Sequence, residues 1–148
     1  MNDQTRIPVS MPALLRAARR AYGGAIRADL DRAGYDDIPR NGLYVLGALA
    51  NRDTPLSEII RYLGMSKQAA GQLVDTLVSR GYLEREVDTE DRRRLTIRLS
   101  ARGEDAAILM REAVKRVDAR LAQRVSQEWI DHTRATLLAL SDTSQSET

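Results

Sequence analysis

The 148-residue chain is 43% hydrophobic and 30% charged, and has one histidine and no cysteine, a balance that fits one compact domain with a single core. Without cysteine there is no disulfide scaffold, thiolate metal site, thiol nucleophile or thiol-oxidation sensor, and a lone histidine offers little to zinc, so neither metal nor cofactor is expected. Net charge is only +2, yet all but Lys67 and Lys115 of the 23 basic residues are arginine, whose planar fork suits carboxylate and phosphate.

The start, Met1 to Arg6, is polar and no long apolar run follows, so no secretion signal or spanning helix is read and the cytoplasm is the expected location. From Met11 to Ala33, Leu14, Leu15, Ala18, Tyr22, Ile26 and Leu30 recur at three- and four-residue spacings, the stripe of an amphipathic helix that Gly34 ends. A turn from Tyr35 to Pro39 leads to a second helix over Arg40–Ala50, broken by Asn51 to Thr54. Thr54 and Pro55 then signal a helix start, and Leu56, Ile59, Ile60 and Leu63 form its buried side up to Gly64. Ser66 is the next N-cap. After it Ala69, Ala70, Leu73, Val74, Leu77 and Val78 give another helical stripe, stopped by Gly81.

The period then changes from helical to two-residue. Leu95, Ile97 and Leu99 alternate with Thr96, Arg98 and Ser100, a half-buried strand whose partner is Leu83–Val87, with a charged tip between them. Ser100 caps a long helix reaching to about Val125, with Ala107, Met110, Val114, Val117, Leu121 and Val125 spaced like a coiled-coil seam. A last helix from about Gln127 to Leu140 carries Trp129, Ile130, Leu137 and Leu138. The polar tail Ser141–Thr148 is expected to be disordered.

Two helices joined by a tight turn and followed by a basic-tipped hairpin form the order of a winged helix-turn-helix: mainly α with a small β-hairpin wing. The major groove of DNA, about 12 Å wide, admits one helix, while the minor groove accepts arginine side chains. On the second helix Ser66, Lys67, Gln68, Gly71 and Gln72 lie off the apolar stripe near the N-terminus. They suit base edges and phosphate. Gly71 stands inside a helix, where it costs about 1 kcal/mol relative to alanine, as a close backbone approach to DNA or a neighbouring helix would explain. At the tip, Arg93 is expected in the minor groove and Arg92 or Arg94 on phosphate, with Asp88 or Asp91 holding the loop. From Arg61 to Arg102 nine basic residues face six acidic ones, too small a surplus to locate a site, so position decides.

The segments Leu56–Gly64 (LSEIIRYLG), Ser66–Leu77 (SKQAAGQLVDTL), Gly81–Arg85 (GYLER), Asp88–Arg93 (DTEDRR) and Leu99–Gly103 (LSARG) resemble, in order and spacing, the MarR-type multiple-antibiotic-resistance regulators. The resemblance extends over nearly the whole chain. It implies a homodimeric winged-helix transcription factor with residues 40–100 as the DNA-binding lobe and residues 1–39 and 101–148 as the helical dimerisation region. It also implies that Arg93 is the wing arginine, Asp91 its supporting acid, and Ser66, Lys67, Gln68 and Gln72 recognition-helix contacts. Gly71 stands where that family often has Thr or Ser.

A two-fold dimer presents two reading helices to half-sites about one helical turn apart, hence double-stranded DNA with a palindromic operator as partner. The resemblance further implies a repressor released by a small aromatic or phenolic effector, for which Tyr22, Tyr44, Trp129 and His132 are the candidate lining residues. The alternative is a DNA-binding protein without effector control, an activator or an architectural protein. An enzyme is not expected: there is no glycine-rich phosphate loop, and His132 has no partner motif.

Overall fold

A computed structural model describes residues 9–50, 56–87, 89–92 and 95–143. Among them, six helices and one antiparallel strand pair run in the order α1 (Met11–Arg32), α2 (Gly42–Ala50), α3 (Leu56–Tyr62), α4 (Lys67–Ser79), β1 (Leu83–Val87), β2 (Leu95–Leu99), α5 (Ala101–Ala122) and α6 (Gln127–Thr143). This is the expected architecture, mainly helical with one small hairpin. The helix-breaking run Asn51–Thr54 and the Thr54–Pro55 start signal lie outside the described residues.

Three boundaries differ from the expectation. Helix α2 begins at Gly42 rather than Arg40, because the Gly42 N–H closes a turn onto the Pro39 carbonyl (2.8 Å) and the Asn41 carbonyl accepts the first helical bonds, from Tyr44 and Val45. Helix α5 ends at Ala122 rather than near Val125, since the chain must leave helical geometry for Ser126 to bond the Trp129 N–H and start α6. Helix α6 runs on through Thr143, so Ser141 and Asp142 are helical where a disordered tail was expected; there the Ser141 hydroxyl bonds the Leu138 carbonyl.

One apolar nucleus joins the flanking helices to the rest. It contains Leu30 of α1, Val45 and Leu46 of α2, Leu77 of α4, Tyr82 and Leu83 at the start of the hairpin, and Ala106 and Met110 of α5, with Ile38 from the α1–α2 turn. Helix α1 packs most extensively on α5, and α5 also packs on α2 and β2. The long seam of α5 therefore divides. Ala107 and Met110 are buried within the chain, Val114 and Val117 are half-buried, and Leu121 is exposed.

The hairpin leaves this nucleus at Leu83, paired with Leu99, and projects outward through Glu84↔Arg98, Arg85↔Ile97, Glu86↔Thr96 and Val87↔Leu95. Along β1 only Leu83 is buried. Arg98 bonds Glu84 opposite it (3.0 Å) and reaches Glu86 diagonally (3.5 Å), cross-strand pairs worth roughly 0.2–1 kcal/mol each at an exposed site.

The junction between hairpin and α5 is closely packed. The Ser100 hydroxyl donates to the Gly81 carbonyl (2.5 Å) and accepts the Gly103 N–H (3.0 Å), so it caps α5 while tying it to the end of α4. Gly81 has φ +79°, a left-handed conformation that favours glycine. Nearby, the Tyr82 hydroxyl donates to Asp37, and Arg102 donates to that hydroxyl (3.0 Å) while its guanidinium lies over the rings of Tyr82 and Tyr35.

Burial, reinforced by the bond to the Asp37 carboxylate, pushes the Tyr82 phenol from 10.0 to about 12. Between these values the unfolded chain has lost this proton and the folded chain keeps it, so ionisation favours unfolding. Stability from Tyr82 should thus be intact below pH 10 and be lost as pH rises toward about 12. Denaturant melts of Tyr82→Phe across this interval should show a shallower alkaline decline than the unsubstituted chain; an identical slope would refute the assignment.

Candidate nucleic-acid interface

Helices α3 and α4 are joined by a turn in which Gly64 takes φ +62°. The Leu63 N–H bonds Ile59 and the Met65 N–H bonds Ile60, closing α3 with no spare residues. Ser66 then sits in extended conformation, and its hydroxyl accepts the Ala69 N–H at 3.1 Å. Such a cap is worth about 1 kcal/mol and leaves the other N-terminal N–H groups of α4 at the surface, where they favour an anion.

Burial on α4 is one-sided. Ala70 and Leu77 are buried and Leu73, Val74 and Val78 pack against the nucleus, while Lys67, Gln68, Gly71 and Gln72 are all exposed. The residues that spacing marks as the reading face therefore share one solvent-facing surface, with Ser66 at its N-terminal edge. A Cβ built on Gly71 meets nothing within 4 Å, so packing inside the chain does not require glycine there. Its absent side chain leaves bare helical backbone in the middle of the face.

The same face continues to Asp75, which is ion-paired with Arg85 of β1. This pair links α4 to the hairpin. Sequence patterning does not reveal it, because ten residues and a change of secondary structure separate the two and neither lies in a local motif. Arg98 is held by Glu84 and Glu86, so both basic residues of the hairpin stem are paired, one with α4 and one with the stem's own acids. At the tip Arg92, Glu90 and Asp91 are exposed. Asp88, Arg93 and Arg94 lie outside the described residues.

The four aromatic and histidine candidates for an effector site fall in three places. The Tyr22 hydroxyl donates to Asp118 of α5 (2.5 Å), a bond that, with burial, raises the phenol above its ordinary value. Tyr44 borders a broad groove of about 990 Å³ between α1 and α2. Trp129 and His132 line a separate, shallower groove with Met11, Thr133, Thr136 and Leu137. The groove at Tyr44 is walled largely by arginine, which a search for aromatic residues does not reveal.

Residues 36–94, from the α1–α2 turn to the wing, match the family model described as MarR family. That segment is MarR-type. Likeness of fold reaches beyond that segment to the flanking helices. The MepR–DNA complex of S. aureus is 19% identical over 91% of this chain and 98% of its own, with a TM-score of 0.68. CouR from Rhodococcus jostii RHA1, bound to p-coumaroyl-CoA, is 21% identical over 89% and 92%, with a TM-score of 0.68. NadR in complex with 4-hydroxyphenylacetate is 20% identical over 95% and 98%, with a TM-score of 0.69. No curated protein matches the chain by sequence. The matched segment thus holds α2, α3, α4 and β1, and the likeness of fold covers the flanking helices as well.

Among the described residues no helix is long and apolar enough to cross a membrane, and no group of three or more His, Asp or Glu could hold a metal ion.

Proposed function

We propose that the chain is a homodimeric, sequence-specific DNA-binding regulator, a cytoplasmic repressor that a small molecule releases from a palindromic operator. The observation that carries this reading is the capped, one-sided helix α4, whose exposed polar face is joined to the stem of the basic-tipped hairpin by the Asp75–Arg85 pair. In this reading Gln68 and Gln72 bond base edges, Lys67 and Ser66 meet phosphate or guanine, Gly71 lets the backbone approach closely, and Arg92, Arg93 and Arg94 serve the wing, supported by Asp88 and Asp91.

Residues 40–100 are then the DNA-binding lobe, and 1–39 with 101–148 the dimerisation region. Helix α6 supports this assignment. Among the described residues it has no extensive contact with another element, and Trp129, Leu137, Leu138 and Leu140 are all exposed, Trp129 to 66%. Exposed Val9, Met11 and Leu14 of the N-terminal segment and Leu121 of α5 bring more apolar surface to the flanking helices, a concentration characteristic of a buried interface. An effector is supported by the ligands bound to CouR and NadR, and DNA by the MepR complex.

Selection of bound duplexes from a random pool tests the reading. An inverted repeat with half-site centres about one helical turn apart is expected, and recovery of no common sequence would overturn it. On the selected duplex, Gln68→Ala should cost roughly 1–3 kcal/mol and relax preference at one position per half-site, while Lys67→Ala should weaken all duplexes alike and lower the salt slope by about one for each phosphate it neutralises. Band-shift titrations at several salt concentrations separate the two.

A further inference from the structure

The groove between α1 and α2 is lined by Leu15, Gly23, Gly24, Leu43 and Tyr44 and by five arginines, Arg16, Arg19, Arg20, Arg27 and Arg40, with no acidic residue among them. Among the described residues none of the five forms an ion pair, although much of the remaining surface pairs its charges. Arg16 repels Arg19 and Arg20 one turn further along α1, an arrangement that destabilises a helix until an anion arrives. Arg16 to Arg27 spans about 16 Å of helix axis at 1.5 Å per residue, far more than one carboxylate can bridge.

Two further observations fit a ligand lying along this wall. Gly23 and Gly24 stand adjacent in the interior of α1, where glycine weakens a helix, yet a Cβ on either meets nothing within 4 Å. The protein's own packing thus does not call for them, and together they leave a stretch of bare backbone on the groove floor. Arg19 lies over the Tyr44 ring, 5.9 Å from its centroid, and Arg27 is anchored by its bond to the Ile38 carbonyl (3.1 Å), so the groove offers an aromatic ring beside one anchored cation and several unpaired ones.

We propose that this groove binds a nucleotide-sized polyphosphate that carries an aromatic ring, its phosphates spread over the α1 arginines and its ring against Tyr44. The proposal rests on the effector reading above and names the chemistry of that effector. Guanidinium forks match phosphate bidentately, and about 990 Å³ lies at the upper end of sites for small ligands, more than a single-ring acid fills. A concave groove of this kind does not suit duplex DNA, into which a protein inserts convex elements.

The test titrates the full-length protein with magnesium-free ATP, inorganic tripolyphosphate and salicylate by calorimetry at fixed ionic strength, and follows release of a labelled selected duplex in parallel. ATP should bind most tightly and salicylate at least about tenfold more weakly. Arg16→Gln/Arg20→Gln should lower ATP affinity about tenfold or more, a loss in keeping with two charge-assisted contacts, while leaving duplex affinity and sedimentation unchanged. Tyr44→Ala should remove the advantage of ATP over tripolyphosphate.

The proposal is overturned if salicylate matches ATP, if the arginine pair is without effect on ATP binding, or if its loss weakens the duplex or the dimer, which would assign the wall to DNA or to a second copy. Release by salicylate without polyphosphate binding leaves effector control standing and removes this proposal. Polyphosphate binding that never releases the duplex keeps the site and removes effector control.

Discussion

Gly103→Ala should be among the most damaging single methyl additions this chain can receive. A Cβ at position 103 would stand 2.1 Å from the Tyr82 carbonyl oxygen and 3.2 Å from a Leu99 methyl. The first of these is a backbone atom that already accepts the Ser100 N–H at 3.0 Å, so it cannot swing aside as a flexible side chain would. Relief requires α5 to move away from the hairpin, which breaks that bond and the Ser100 cap on Gly103 together. Overpacking typically costs 1–3 kcal/mol, and the backbone clash puts this site at about 3 kcal/mol or above, a fall in melting temperature of roughly 6–12 °C for a chain of this size. Thermal melts followed by circular dichroism check it. A loss below about 1 kcal/mol would mean that the α5–hairpin junction is far looser than described.

Trp129→Glu combined with Leu138→Glu should turn the proposed dimer into a monomer and lower affinity for the selected inverted repeat by about 10²–10⁴-fold, because the second half-site is then no longer engaged at high effective concentration. Both side chains are exposed on α6, and α6 contributes no buried residue to the chain's own nucleus, so the folded monomer should melt as a cooperative unit. Sedimentation velocity reports the association state and a band-shift titration the affinity. Binding to a single half-site should change by less than about twofold, since the α4 face is untouched. A double variant that remains dimeric with full affinity would show that the copies meet elsewhere.

Periodicity makes most of the fold readable in advance. The change from three- and four-residue to two-residue spacing at Leu95 places the strand, and Gly34, Gly64 and Gly81 mark ends that the structure keeps. The exposed set Lys67, Gln68, Gly71 and Gln72 is legible for the same reason, since whatever is not on the buried stripe of a short helix faces out. Boundaries set by competition between neighbouring turns are less legible: Pro39 delays α2, and Ser126 interrupts the seam that would have carried α5 to Val125.

Pairings between distant parts of the chain leave no local trace. Tyr82 meets Asp37 across 45 positions and Arg102 meets Asp37 across 65, and nothing in the segment LSARG says that Gly103 must be bare because a carbonyl lies above it. The arginine wall of α1 is visible as composition, but only the approach of α2 turns those residues into one side of a groove. The effector candidates chosen for aromaticity disperse over three surfaces, because ring chemistry alone carries no information about which faces meet.

Because Leu30, Leu46, Leu77, Tyr82 and Met110 belong to one apolar nucleus, bending α4 away from α1 and α5 would expose buried surface. In the proposed dimer each copy would then act as a stiff lever, with α1 and α5 at the handle and α4 at the working end. Under the proposed effector control, a compound beside α1 would act on the angle between two such levers, changing the span of the jaws and leaving the teeth untouched.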